Sequence, residues 1–151
     1  MALSDLSPPL LASLGLAVAS CIWLGLRRLV TGAGGWRSLA GSFHVENLPD
    51  GERFRFASGS IGSRLISVHY KNVLNVVVRP SGFGISLVSV WGRPPALFIP
   101  WTEVESVAKS RSFFVDTAEI RVRGQRSPIF LYGDAGASVV HAYSSLPRPA
   151  P

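Results

Sequence analysis

The sequence predicts a mainly β domain of about seven short antiparallel strands with a C-terminal helix, preceded by an N-terminal transmembrane helix. Three observations predict it. An apolar run without a charge stands near the N-terminus, apolar and polar residues alternate in short runs from Glu52 onward, and helical spacing returns after Gly133. Apolar residues make up 19 of the first 30 positions but 52 of the remaining 121, an ordinary share for a globular domain. The mean hydropathy of +0.30 therefore reflects the N-terminal segment above all. A length of 151 residues accommodates one domain and an appendage, which excludes a multi-domain enzyme and a polytopic transporter.

Residues 1–30 read as the anchor. Leu10 to Leu26 carries no charge, Pro8-Pro9 precede it and Arg27-Arg28 follow it. Proline suits a first helical turn and Trp23 suits a membrane interface, so the spacing predicts a spanning helix over about 8–30 flanked by Trp23, Arg27 and Arg28. No Lys or Arg precedes the run, and the positive-inside bias then puts the N-terminus outside and the following domain in the cytoplasm. The rival reading is export: Ala17-Val18-Ala19 resembles a cleavage site, and Val18-Ala19-Ser20-Cys21 resembles a lipobox that would make this an envelope lipoprotein lipidated at Cys21. The greasy residues after Cys21 and the missing positive n-region weigh against it. As the only cysteine, Cys21 forms no intramolecular disulfide.

Thr-Gly-Ala-Gly-Gly at 31–35 is a flexible joint. Trp36, Leu39, Ala40 and Phe43 then recur at i, i+3, i+4, i+7, which predicts a short helix packed on the domain that extends over 36–146. Arg53-Phe54-Arg55-Phe56 alternates with period two, placing both phenylalanines toward the core and both arginines outward. Leu65 to Tyr70 and Val73 to Arg79 are rich in branched and aromatic residues, and Pro80-Ser81-Gly82 makes a turn. Strands follow over Gly84 to Val90, Ala96 to Ile99, Val104 to about Phe114, Thr117 to Arg123, and Ser127 to Tyr132. Ile120 and Val122 face in, Arg121 and Arg123 out. Asp134 suits the N-cap of a helix reaching Leu146, and residues 147–151 form a tail. This cadence is that of a sandwich or barrel.

A short helix, about seven strands and a C-terminal helix resemble the pleckstrin-homology-like (PH-like) barrel. The run SGFGISLVSVWGRPPALFIPWTEVESV (81–107) resembles the centre of GRAM-like and bacterial PH-like domains. With Trp36, Leu39, Ala40 and Phe43 after a single helix, the chain is similar to small membrane-anchored bacterial proteins of unknown function. The resemblance implies an inner-membrane, single-pass protein and a barrel fixed by Trp91, Pro94, Pro95, Pro100 and Trp101. It implies no catalytic residues.

Enzyme signatures are missing. There is no nucleophile elbow and no phosphate loop, and Gly82-x-Gly84 lacks the third glycine of a dinucleotide fingerprint. His44, His69 and His141 form no metal-ligand spacing, so neither metal nor cofactor is expected. Glu103 and Glu105 would share a strand face, where solvated acids are commoner than an acid–base pair. The remaining cue is charge: 31–151 carries 13 Lys and Arg against 8 acids. In lipid-binding PH domains a basic cluster on the first two strands and their loop holds the headgroup, and Arg53, Arg55 and Arg64 fall in comparable places. Arg121 and Arg123 extend the basic set. The expected function is a membrane-tethered binding or scaffold module for a protein partner or anionic phospholipid. Nucleic acid fits poorly, because Phe54 and Phe56 are assigned to the core and leave no exposed aromatics among the charges.

Overall fold

The computed structural model describes residues 13, 15–22, 35–63, 67–88, 95–112 and 115–147. Helix α1 (Trp36–Phe43) leads into β1 (His44–Val45). Then come β2 (Glu52–Gly62), β3 (Ser67–Arg79), β4 (Gly82–Leu87) and β5 (Ala96–Pro100). A 3-10 turn (Trp101–Glu103) connects to β6 (Val104–Ser112), β7 (Val115–Val122), β8 (Ile129–Tyr132) and helix α2 (Gly133–Ser144).

These strands form one eight-stranded sheet in the order β1-β5-β4-β3-β2-β8-β7-β6, with every pairing antiparallel. The expected barrel of about seven strands is thus corrected to an eight-stranded sheet with β1 and β6 at its edges. Two local causes account for the difference. His44 and Val45 continue from α1 as an extended pair and add an edge opposite Leu97 and Ala96. The two runs expected at 65–70 and 73–79 join in a single β3, because Asn72 takes a left-handed backbone (φ 54) and carries the chain through.

The expected transmembrane helix is also overturned. Among the described residues no helix is long and apolar enough to cross a membrane. Residues 15–22 are helical; the rest of the span expected over 8–30 lies outside the described residues, apart from Ser13. The single-pass, inner-membrane placement with the N-terminus outside loses the segment on which it rested. Trp23, Arg27 and Arg28 lie outside the described residues, as do Arg64, Trp91 and Pro94. Cys21 is an exposed helical residue.

The core lies between the inner sheet face and the two helices. Phe83 and Ile85 on β4, Leu97 and Ile99 on β5, and Ile129 and Leu131 on β8 are almost fully buried. Helix α1 contributes Trp36 and Leu39, and α2 contributes Ala135 and Val139. Trp101 is 7% exposed, donates its Nε1–H to the Arg79 carbonyl at 3.1 Å, and stacks between Phe83 and Tyr143 with ring centroids 5.4 and 5.9 Å away. Its place is in the core.

Strand β2 joins the two halves of the sheet. Gly59 pairs with Tyr70 on one side and Leu131 on the other. A Cβ there would run into the Phe130 carbonyl oxygen and the Leu74 and Leu131 side chains. Only glycine lets both neighbours close on β2 at this point.

Candidate functional site: a basic cleft at the β2 bulge

Strand β8 has four residues and meets β2 only over Gly59 to Ile61. Upstream of Gly59, β2 therefore has no strand on that side among the described residues, and the chain leaving β8 turns at Gly133 (φ 67) into α2. The gap is a cleft of about 880 Å³. Its walls are Arg53 to Gly59 of β2, His69 to Lys71 of β3, Val115 at the start of β7, and Tyr132 to Ala135 where β8 becomes α2.

The wall on β2 and β3 is irregular in a specific way. Phe54 faces Val76 and Ala57 faces Leu74, so Arg55 and Phe56 bulge where β3 supplies one residue. The next step compensates: Ala57 faces Leu74 and Gly59 faces Tyr70, so Lys71 to Val73 oppose Ser58 alone. The Ser58 hydroxyl replaces the broken ladder, accepting from the Asn72 N–H at 2.9 Å and donating to Asn72 Oδ1 at 3.0 Å.

The bulge reverses the expected alternation. Phe54 remains partly buried against the core, whereas Phe56 has φ 57 and is 62% exposed. A left-handed backbone costs a bulky residue on the order of 1–2 kcal/mol. The assignment of both phenylalanines to the core, and the argument against nucleic acid built on it, is corrected at Phe56.

Arg53, Arg55, His69 and Lys71 are exposed along the cleft. Among the described residues the ion pairs are Lys109–Asp116, Arg111–Asp116 and Arg121–Glu119, so Arg53, Arg55 and Lys71 belong to none. Among the described residues Asp134 is the cleft's one carboxylate; it lies in the first turn of α2, where the helix dipole favours negative charge. It is not the N-cap expected from sequence, since α2 begins at Gly133 after Tyr132 and has no side-chain cap. Nearby Glu52 accepts a hydrogen bond from Ser138 of α2. Tyr70 packs on Trp36 at 5.8 Å, and burial pushes its hydroxyl pKa above the ordinary 10.0. Tyr132 and Ser60 share a hydrogen bond of 3.1 Å.

Of the basic residues singled out from sequence, the structure brings Arg53 and Arg55 together. Arg121 is turned to Glu119, with Nη2 at 2.9 Å from Oε1. Arg123 lines a separate hollow with His44, Phe98 and Glu103. Sequence reasoning missed Lys71, Phe56 and Val115. The signal for Lys71 was the polar Lys71-Asn72 pair interrupting two β-rich runs, read as a strand break.

Other candidates separate. Glu103 belongs to the 3-10 turn and Glu105 to β6, with a register shift between Val104 and Ser106, so they do not share a strand face. Their backbone carbonyls accept from the Arg123 N–H and the Tyr143 hydroxyl respectively. His69 and Ser67 lie 3.2 Å apart on an exposed strand face. Among the described residues no three His, Cys, Asp or Glu side chains converge as a metal site. No family model matches this chain, and no curated protein resembles it significantly in sequence.

Proposed function

We propose that this chain is a binding module that recognises the anionic headgroups of a lipid surface and works by binding rather than catalysis. The observation that carries the reading is the set of three cations, Arg53, Arg55 and Lys71, free of acidic partners among the described residues and lining one cleft. Anionic membrane attracts a nearby Lys or Arg with about 1 kcal/mol each.

The test is co-sedimentation of the full chain with vesicles of neutral phosphatidylcholine and with vesicles containing phosphatidylserine. Retention on neutral vesicles measures the contribution of apolar surface such as Leu16 and Ile22. The added retention on anionic vesicles is expected to fall steeply with salt, as the Debye length shrinks from about 8 Å at 0.15 M to 3 Å at 1 M. Equal binding to both vesicle types would refute the reading and direct attention to a protein partner.

A further inference from the structure

We infer that Phe56 is an apolar anchor that enters the bilayer while the cations beside it hold the headgroups, so that the cleft binds a lipid surface more tightly than a free headgroup. This rests on the proposed lipid reading and extends it. Phe56 occupies a backbone conformation that phenylalanine rarely takes, yet its ring gains little shelter there, being 62% exposed. Core packing does not explain that choice. The paired irregularities in β2 and β3 hold the ring outward, with Asn72 at φ 54 bonded across to Ser58. Val115, 43% exposed, stands on the cleft's opposite wall. Two outward apolar side chains thus flank Arg53, Arg55 and Lys71, a combination complementary to an anionic interface, where apolar groups enter the acyl boundary and cations remain at the phosphates.

The experiment uses Phe56→Gly in the full chain. Glycine adopts a positive φ without strain and removes only an exposed ring, so the variant is expected to unfold at about the parent's midpoint. Its affinity for phosphatidylserine vesicles should fall by roughly tenfold or more, while chemical shift changes with soluble glycerophosphoserine should match the parent's. In a Cys21→Ser background, an environment-sensitive dye on Phe56→Cys should shift to the blue on anionic vesicles, and the same dye on Thr102→Cys should not. If Arg53/Arg55 neutralisation abolishes vesicle binding but Phe56→Gly leaves it intact, the anchor is overturned and headgroup recognition stands. Loss of soluble-headgroup binding in Phe56→Gly would overturn the anchor as well, by placing Phe56 in the headgroup contact itself. If anionic vesicles bind the parent no better than neutral ones, both readings fall. Phe56-dependent binding of an acidic peptide or an oligonucleotide without vesicle binding would replace the bilayer with that partner.

Discussion

Replacing Trp101 with Phe tests the core through a comparison within the molecule. Trp101 and Trp36 are both buried, at 7% and 4% exposure, and both stack on a tyrosine. They differ at the indole nitrogen. Trp101 Nε1 donates to the Arg79 carbonyl at 3.1 Å, whereas Trp36 Nε1 is buried without a partner among the described residues. Truncation to Phe removes a similar amount of ring from each, about 1–2 kcal/mol of packing. At Trp101 it also removes a hydrogen bond contributing about 1 kcal/mol; at Trp36 it removes a donor whose burial is itself unfavourable. Trp101→Phe should therefore destabilise the domain by about 2–3 kcal/mol, and Trp36→Phe by about 1 kcal/mol. Denaturant unfolding followed by far-UV circular dichroism gives both values at equal m. Equal losses would refute the hydrogen-bond argument, and a larger loss at Trp36 would reverse it.

Two further predictions concern the frame of the cleft. Gly59→Ala should destabilise by roughly 2–3 kcal/mol, because the new Cβ meets the Phe130 carbonyl. Gly41→Ala, on a helical position with nothing within 4 Å of a Cβ, should stabilise by about 0.5–1 kcal/mol; thermal melts of the two variants check this opposition of sign. Burial raises the Tyr70 pKa above 10.0. The unfolded chain therefore releases this proton first as pH rises, and the stability Tyr70 contributes below pH 10 should be lost through its folded-state pKa. Tyr70→Phe should flatten that alkaline limb in pH-dependent denaturation, and an unchanged limb would contradict the assignment.

Much of the domain was legible because its signals were local. The i, i+3, i+4, i+7 spacing from Trp36 and the alternation of Ile120 and Val122 with Arg121 and Arg123 both report which side chains meet the core, and burial in the structure follows them. The β2–β3 wall was not legible. Strict alternation assumes an unbroken ladder, and a bulge of one residue turns Phe56 outward. Likewise Lys71-Asn72 reads as a break between two strands until Ser58, fourteen residues before Asn72, supplies the missing hydrogen bonds. Charge was the weakest guide to place. Arg121 and Arg53 look alike in the sequence; Glu119, two residues away on the same face of β7, takes the first, while the short length of β8 leaves the second on a cleft. For the N-terminal run, apolarity without charge was an insufficient basis for a spanning helix.

The most direct test of the lipid reading compares two charge-matched pairs. Arg53→Gln/Arg55→Gln and Arg121→Gln/Arg123→Gln each remove two positive charges from exposed positions, so net charge changes equally. Binding to phosphatidylserine vesicles at physiological salt should weaken by about 2 kcal/mol, roughly 30-fold, in the first pair, and remain close to the parent's in the second. Equal weakening in both pairs would show attraction by overall charge alone, and would contradict recognition at the cleft.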